Sequence, residues 1–122
     1  MIPTAVALAG ACGALARYIV DAGVRTRFAH PSPWGTFVVN VSGSFAAGLV
    51  AGLLLYRGLD DAVATVAGVG FVGAYTTFST FAFEVVEEAD QRGSRAALSY
   101  ALGSIVVGLG AATLGLAISE AV

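Results

Sequence analysis

Hydroxyl and aromatic side chains alternate in one run of an otherwise apolar segment, Thr76-Thr77-Phe78-Ser79-Thr80-Phe81. Phe78 and Phe81 are three residues apart, which places both rings on one face of a helix. The edge of an aromatic ring is partially positive, so two ring edges and the nearby hydroxyls could stabilise a small anion without a formal charge. Weak neutral donors of this kind also let an ion leave. The alternative is that the rings only pack helices together, which leaves the four hydroxyls unexplained.

Three glycines, at positions 68, 70 and 73, precede this run. Glycine and threonine both lower helix propensity, and hydroxyls compete for backbone hydrogen bonds. The segment is therefore predicted to break a helix at Gly73–Thr77. In a membrane, backbone groups freed by a break must face protein or a water-filled cavity, and freed carbonyls recur as Na⁺ ligands.

Asn40 places an amide side chain inside a second apolar segment. Thr36 and Ser44, four residues before and after it, lie on the same helical face. One interpretation is that its amide hydrogen-bonds a neighbouring helix, a common role for asparagine in lipid. The other is that its NH₂ group donates to a passing anion. The sequence leaves both open.

Two charged residues lie at the ends of apolar segments. Arg17 either snorkels to the membrane interface or is buried, where it would form a vestibule or cap carbonyl groups. Glu84 follows Phe81 by one turn and is expected to pair with an arginine at the mouth or to face water. A proton-coupling carboxylate is the less favoured interpretation of Glu84.

The elements that must position these residues are membrane-spanning helices. Hydrophobic residues make up 57% of the 122-residue chain, charged residues make up 11%, and lysine is absent. A soluble domain carries roughly 25% charged residues, whereas a helix that crosses a bilayer needs about 20 apolar ones. A single domain with four spans is predicted, at about residues 2–20, 34–56, 62–83 and 96–118.

The connections between spans are short, which predicts antiparallel neighbours in an up-down-up-down bundle. Asp21–His30 is a candidate for a short interfacial helix. The first and third connections carry four of the six arginines, so the positive-inside rule places them in the cytoplasm and both termini outside. Those arginines are Arg25, Arg27, Arg92 and Arg95.

Small residues recur every four positions within the spans, as in Ser44-Gly48-Gly52 and Ser104-Gly108-Ala112. Such stripes let helix backbones approach closely in lipid. They either pack the four helices of one chain or face a second chain. Four short helices can hardly pack tightly and also enclose a polar pathway, so an oligomer is favoured over a monomer.

Several function classes are disfavoured. The chain has no Ser/His/Asp set, no His or Cys metal spacing and no phosphate-binding GxxxxGK[ST] run, so an enzyme is not expected. A net charge of −2 does not suggest nucleic acid. A small proton-coupled drug exporter would need a carboxylate deep in the first span, which has none. A non-transporting membrane assembly subunit remains an alternative.

Taken together, these motifs resemble the Fluc (CrcB-type) fluoride channel family, along essentially the whole chain. The third-span run, Asn40 and the chain length are the most specific features. Ala74 and Tyr75 stand where a second glycine often follows Gly73 in that family. The matching segments are Gly13…Arg17-Tyr18, Trp34-Gly35-Thr36…Asn40…Gly43, Gly73…Thr76-Thr77-Phe78-Ser79-Thr80-Phe81…Glu84, and Arg92-Gly93 with Tyr100 and Ser104.

The resemblance implies an all-α integral membrane protein of the cell membrane, with a broken third helix, that exports fluoride passively. It implies an antiparallel, dual-topology dimer in the lipid bilayer, with a structural Na⁺ at its centre and no organic cofactor. A homodimer is favoured, and a heterodimer with a homologous chain of fixed orientation is the alternative, because the arginine bias exceeds what dual insertion prefers.

The resemblance also assigns site residues. It places a fluoride pathway at Asn40, Phe78, Ser79, Thr80, Phe81, Tyr100 and Ser104. It places a vestibule at Arg17, Thr36 and Glu84. It implies that the backbone carbonyls of Gly73 and Thr76 bind the Na⁺.

Overall fold

A computed structural model describes residues 1–27 and 33–122. These residues are almost entirely helical, and one long stretch of several successive elements, Asp61–Arg92, forms the third span. The elements are α1 (Ile2–Arg27), α2 (Trp34–Arg57), α3 (Asp61–Ala64), a π-helical segment (Thr65–Val72), α4 (Gly73–Tyr75), α5 (Phe78–Arg92) and α6 (Ser94–Ala121).

Four helical stretches in the described part of the chain are long and apolar enough to cross a membrane: α1, α2, the third span and α6. Large apolar side chains remain exposed along all of them, as expected where lipid is the solvent. The predicted all-α, multi-pass membrane fold is confirmed.

Helix α1 runs beside the third span in the same direction. A side chain at Gly70 would be 3.0 Å from the Ala9 side chain, and one at Gly13 would collide with the Phe71 carbonyl. The missing side chains let the two backbones approach closely, which stabilises helix association in lipid. This contact fixes the part of the third span that precedes the break.

Helices α2 and α6 form a second parallel pair, which we call the α2–α6 seam. A Cβ atom at Gly48 would collide with the Ala112 carbonyl, and one at Gly115 would collide with the Phe45 carbonyl. The predicted stripe on α2 therefore packs against a helix of the same chain. By contrast, a Cβ at Gly110 would meet no described atom within 4 Å.

The first helix is longer than the apolar pattern indicated. It continues to Arg27, so 21–27 belong to α1 rather than to a separate interfacial helix, and 28–30 lie outside the described residues. Arg25 pairs with Asp21 one turn earlier, at 2.9 Å. Such an (i, i+4) pair supports helix beyond the apolar stretch.

The π-helical segment is a feature that the sequence pattern did not predict. Residues Thr65–Val72 have a wider turn than an α-helix, and the Gly73 N–H then donates to both the Gly68 and Gly70 carbonyls. The segment ends immediately before the glycine and threonine residues of the break.

Candidate functional site

The third span is interrupted at Thr76 and Thr77. Their backbones are extended (φ −76°, ψ 160° and φ −145°, ψ 122°), between the end of α4 and the start of α5. The Thr77 hydroxyl caps α5 by accepting from the Thr80 N–H at 3.3 Å. The interruption lies inside the Gly73–Thr77 range that the sequence indicated.

Asn40 of α2 binds this interruption through both ends of its amide. Its Nδ2 donates to the Thr77 carbonyl at 2.8 Å, and its Oδ1 accepts from the Thr77 N–H at 2.8 Å. The side chain thus replaces two backbone partners that the broken helix has lost. The neighbouring-helix interpretation of Asn40 is confirmed. The amide has two N–H donors, so one remains for another acceptor.

The interruption also frees the backbone carbonyls of Gly73 and Thr76, the two cation ligands that the resemblance implies. In a continuous helix, the Thr77 N–H would donate to Gly73 and the Thr80 N–H to Thr76. These N–H groups instead donate to Asn40 and to the Thr77 hydroxyl. Both freed groups are neutral oxygen donors.

Arg17 lies beside one of these carbonyls. Its Nη1 donates to the Thr76 carbonyl at 3.4 Å, so the carbonyl-capping interpretation of Arg17 is confirmed. Arg17 also lines a cavity of about 180 Å³ with Asp21, Thr36 and Thr80. The arginine therefore joins a polar cavity near one end of the bundle to the break.

A groove of about 340 Å³ opens beside the break, and we call it the Asn40 groove. The Phe78 side chain at its edge is 80% exposed. The centroids of the Phe78 and Phe81 rings are 6.1 Å apart and the ring planes are inclined by 45°. The groove is lined by Asn40, Gly43, Ser44, Ala47, Val72, Thr76, Thr77, Phe78 and Phe81.

Tyr75, one residue before the break, also binds α2. Its hydroxyl lies 2.8 Å from the Ser42 hydroxyl, and its ring stacks on Phe71 at 6.0 Å. Gly43 leaves room for this part of the chain, because a Cβ there would collide with the Thr76 methyl and come within 3.2 Å of the Tyr75 ring. A tyrosine at this position is thus compatible with an interrupted helix.

Glu84 lies in a cluster of hydrogen-bond donors and is only 7% exposed. Its Oε1 accepts from the Thr36 hydroxyl at 2.8 Å and from Arg25 at 3.2 Å. Its Oε2 accepts from the Tyr100 hydroxyl at 2.9 Å. The predicted pairing of Glu84 with an arginine is confirmed. Thr36 is 2% exposed, so its hydroxyl faces the carboxylate rather than open space.

Tyr100 and Ser104 line a second cavity, of about 360 Å³, between α2, α5 and α6. The Phe81 ring, which lines the Asn40 groove, lies 5.5 Å from the Tyr100 ring, which lines this cavity. Among the side chains in residues 1–27 and 33–122, the Ser104 hydroxyl alone is buried without a hydrogen-bond partner. This hydroxyl adjoins that of Tyr100.

The predicted residues thus divide between two places joined by Phe81. Asn40, Thr76, Phe78 and Thr80 lie at the break, and Ser79 is nearby, with its hydroxyl 3.5 Å from that of Thr77. Tyr100 and Ser104 line the second cavity, and Glu84 accepts a hydrogen bond from Tyr100.

Arg25 and Asp21 are the two site residues that sequence reasoning missed. Arg25 had been interpreted only as a topology-determining charge. The (i, i+4) spacing of Asp21 and Arg25 was a signal that both belong to one helix end, but the contact of Arg25 with Glu84 spans 59 residues and has no local signature.

Comparison with known proteins gives one consistent answer. The family model described as CrcB-like protein, Camphor Resistance (CrcB) matches residues 4–116. The chain is 47% identical to the "Fluoride-specific ion channel FluC 1" of Leifsonia xyli subsp. xyli, over 95% of this chain and 85% of the relative. It is 43% identical to the "Fluoride-specific ion channel FluC 2" of Mycolicibacterium paratuberculosis, over 96% and 93% respectively.

Proposed function

The chain belongs to the CrcB-like family, whose curated relatives are named as fluoride-specific ion channels, and we propose that it conducts fluoride across the cell membrane. The family is one of channels and not of enzymes. The observation that carries the mechanism is the Asn40 amide, which is fixed to the break and retains one N–H donor in a groove bordered by Phe78 and Phe81.

Fluoride must exchange its water shell for protein donors as it enters the membrane. The groove supplies neutral ones: the remaining Asn40 N–H, the Thr and Ser hydroxyls near the break, and the ring edges of Phe78 and Phe81. Because none carries a full charge, fluoride is held weakly enough to move on. On the far side of Phe81, the Ser104 hydroxyl continues the row of donors.

The functional unit in this proposal is a homodimer. One chain supplies only one wall of the Asn40 groove, and the Phe78 ring at its edge is largely exposed. A second copy inserted antiparallel would close the groove and exclude lipid from the donors. This arrangement agrees with the resemblance, in which both chains line each pore. If the functional unit were instead a heterodimer, the purified chain would conduct no fluoride by itself.

A structural Na⁺ fits the donor chemistry of the break. The carbonyls of Gly73 and Thr76 have lost their helical donors, and neutral oxygens are suitable Na⁺ ligands. One lone pair of the Thr76 carbonyl accepts the hydrogen bond from Arg17, and the other lone pair would bind the ion. Two carbonyls from each of two chains would hold the ion, which would fix the two breaks against each other.

The test is fluoride efflux from liposomes that contain the purified chain alone, with chloride efflux as the comparison. We expect fluoride flux that greatly exceeds chloride flux, and loss of the flux in Phe78→Ile and Asn40→Ala. Phe83→Ile is the matched control, because Phe83 is an exposed ring of α5 that lines neither cavity.

Absence of flux in the wild type would favour a heterodimer or a non-transporting assembly subunit. Wild-type flux in the Phe78 and Asn40 variants would exclude the roles assigned to them.

A further inference from the structure

Arg25 connects the end of α1 to the buried carboxylate of Glu84. Its Nε donates to the Asp21 carboxylate at 3.0 and 2.9 Å, and its Nη2 donates to Glu84 Oε1 at 3.2 Å. The Arg25 side chain is 46% exposed, whereas the Glu84 side chain is only 8% exposed. The positive charge is therefore shared between a carboxylate at the surface and one inside the bundle.

Asp21 is itself held in place by α2. A Cβ atom at Gly35 would collide with Asp21 Oδ1, so only glycine lets this carboxylate lie against the first turn of α2. The residue before that turn, Pro33, offers no side-chain cap. The N-terminus of a helix carries partial positive charge and stabilises an adjacent carboxylate. Asp21 thus holds Arg25 in its position toward Glu84.

Glu84 lies beside Tyr100, a residue of the fluoride path in the proposed function. Its second oxygen accepts from Tyr100, which borders both Phe81 and the Ser104 cavity. A carboxylate at this place repels an anion unless a cation compensates it. Among the described residues, three other ionic groups lie in this region, Arg17, Glu88 and Arg92. Arg17 lines the cavity that Asp21 also lines, and Arg92 pairs with Glu88 on the next turn of α5.

We infer that Arg25 is a positioning residue for conduction: it neutralises Glu84 and holds it against Tyr100, so that fluoride can pass this end of the pathway. The inference rests on the proposed function. With Arg25 present, Arg17 and Arg25 balance Asp21 and Glu84. Without Arg25, this end carries one uncompensated negative charge beside the path.

The test uses the full chain in liposomes and compares Arg25→Gln with Arg27→Gln. Arg27 is two residues away on the same helix end and has no ion pair with a described residue. We expect Arg25→Gln to lower fluoride flux roughly tenfold, the scale of one unscreened charge near the path. The loss should shrink as an impermeant salt raises the ionic strength. Arg27→Gln should conduct like the wild type.

Two further variants separate charge from packing. Arg25→Lys restores the charge without the guanidinium fork and should recover most of the flux. In Arg25→Gln/Glu84→Gln the uncompensated carboxylate is gone, so flux should rise above that of Arg25→Gln. The inference is wrong, and the proposed function is unaffected, if the double variant conducts no more fluoride than Arg25→Gln or if Arg25→Gln conducts like the wild type. A wild type without flux overturns the proposed function and this role with it.

Discussion

Helix α2 contacts α6 mainly through glycines and contacts the third span mainly through polar side chains. In the α2–α6 seam, Gly48 lies against the Ala112 backbone with no side chain between them. On the other face, Thr36 donates to Glu84 and the Asn40 amide binds the Thr77 backbone. We call this second set of contacts the polar seam.

The difference shows how one helix serves two purposes. Close packing of small residues stabilises helix association in lipid without any directional requirement. A buried polar group is stable in lipid only if its hydrogen bonds are made, and those bonds then fix atoms in place. The α2–α6 seam therefore holds α2 as a frame, and the polar seam uses that frame to hold the break and Glu84.

The largest effect is expected from filling the α2–α6 seam. Gly48→Leu places a side chain against the backbone carbonyl of Ala112, which cannot move aside. The cost should exceed about 3 kcal/mol, the upper range of ordinary overpacking. We expect little folded protein in detergent extracts, measured by size-exclusion chromatography.

The matched control is Gly110→Leu, because a Cβ at Gly110 meets no described atom within 4 Å. It should give wild-type yields. Equal yields of the two variants would mean that the α2–α6 seam is not the frame.

Asn40→Ala should separate folding from conduction. It leaves the N–H and carbonyl of Thr77 without their partners, at a cost of about 1–3 kcal/mol, and the chain still folds around the α2–α6 seam. Fluoride efflux should fall by about 100-fold or more, the equivalent of roughly 3 kcal/mol. Val41→Ala, a truncation one residue along, is the control and should keep its flux. If both variants lose stability and flux in proportion, Asn40 is a packing residue only.

Two variants that each lose one hydroxyl group compare the polar seam with the α2–α6 seam. Thr36→Val removes a bond to a carboxylate, and hydrogen bonds to charged groups contribute about 1.5–3 kcal/mol. Ser119→Ala removes a hydroxyl that is shared between two neutral carbonyls, those of Leu49 and Gly115, where about 0.5–1.5 kcal/mol is expected. Unfolding by SDS titration should show the larger shift for Thr36→Val, and only that variant should lower fluoride flux. A reversed order would contradict the distinction between the seams.

Local pattern in the sequence predicted four apolar spans, the α2 stripe and a break within Gly73–Thr77, and the described helices agree with this pattern except in length. The first and third helical stretches run to Arg27 and Arg92, beyond the predicted ends at 20 and 83. Each of these predictions depends on composition or on spacing within one helix, as at Gly48 and Thr77. The particular partners of Asn40 and Glu84 were out of reach, because they lie on other helices, 16 to 59 residues away in sequence. The π-helical segment Thr65–Val72 was also missed, since its apolar and glycine-rich sequence has no periodicity that distinguishes it from an α-helix.

The smallest effect is expected at Arg57, where α2 ends. Its Nε donates to the Ser119 carbonyl at 3.1 Å and its Nη2 to the Glu120 carbonyl at 3.0 Å, so it caps α6. A cation at a helix C-terminus contributes about 0.3–1 kcal/mol, so Arg57→Gln should shift unfolding by that amount and leave fluoride flux unchanged. Arg25→Gln, which removes the same charge next to the polar seam, should lower fluoride flux. If Arg57→Gln reduced fluoride flux as much as Arg25→Gln, the total charge of the protein rather than the position of the charge would govern conduction. The α2–α6 seam and the polar seam could then not be assigned separate roles in stability and conduction.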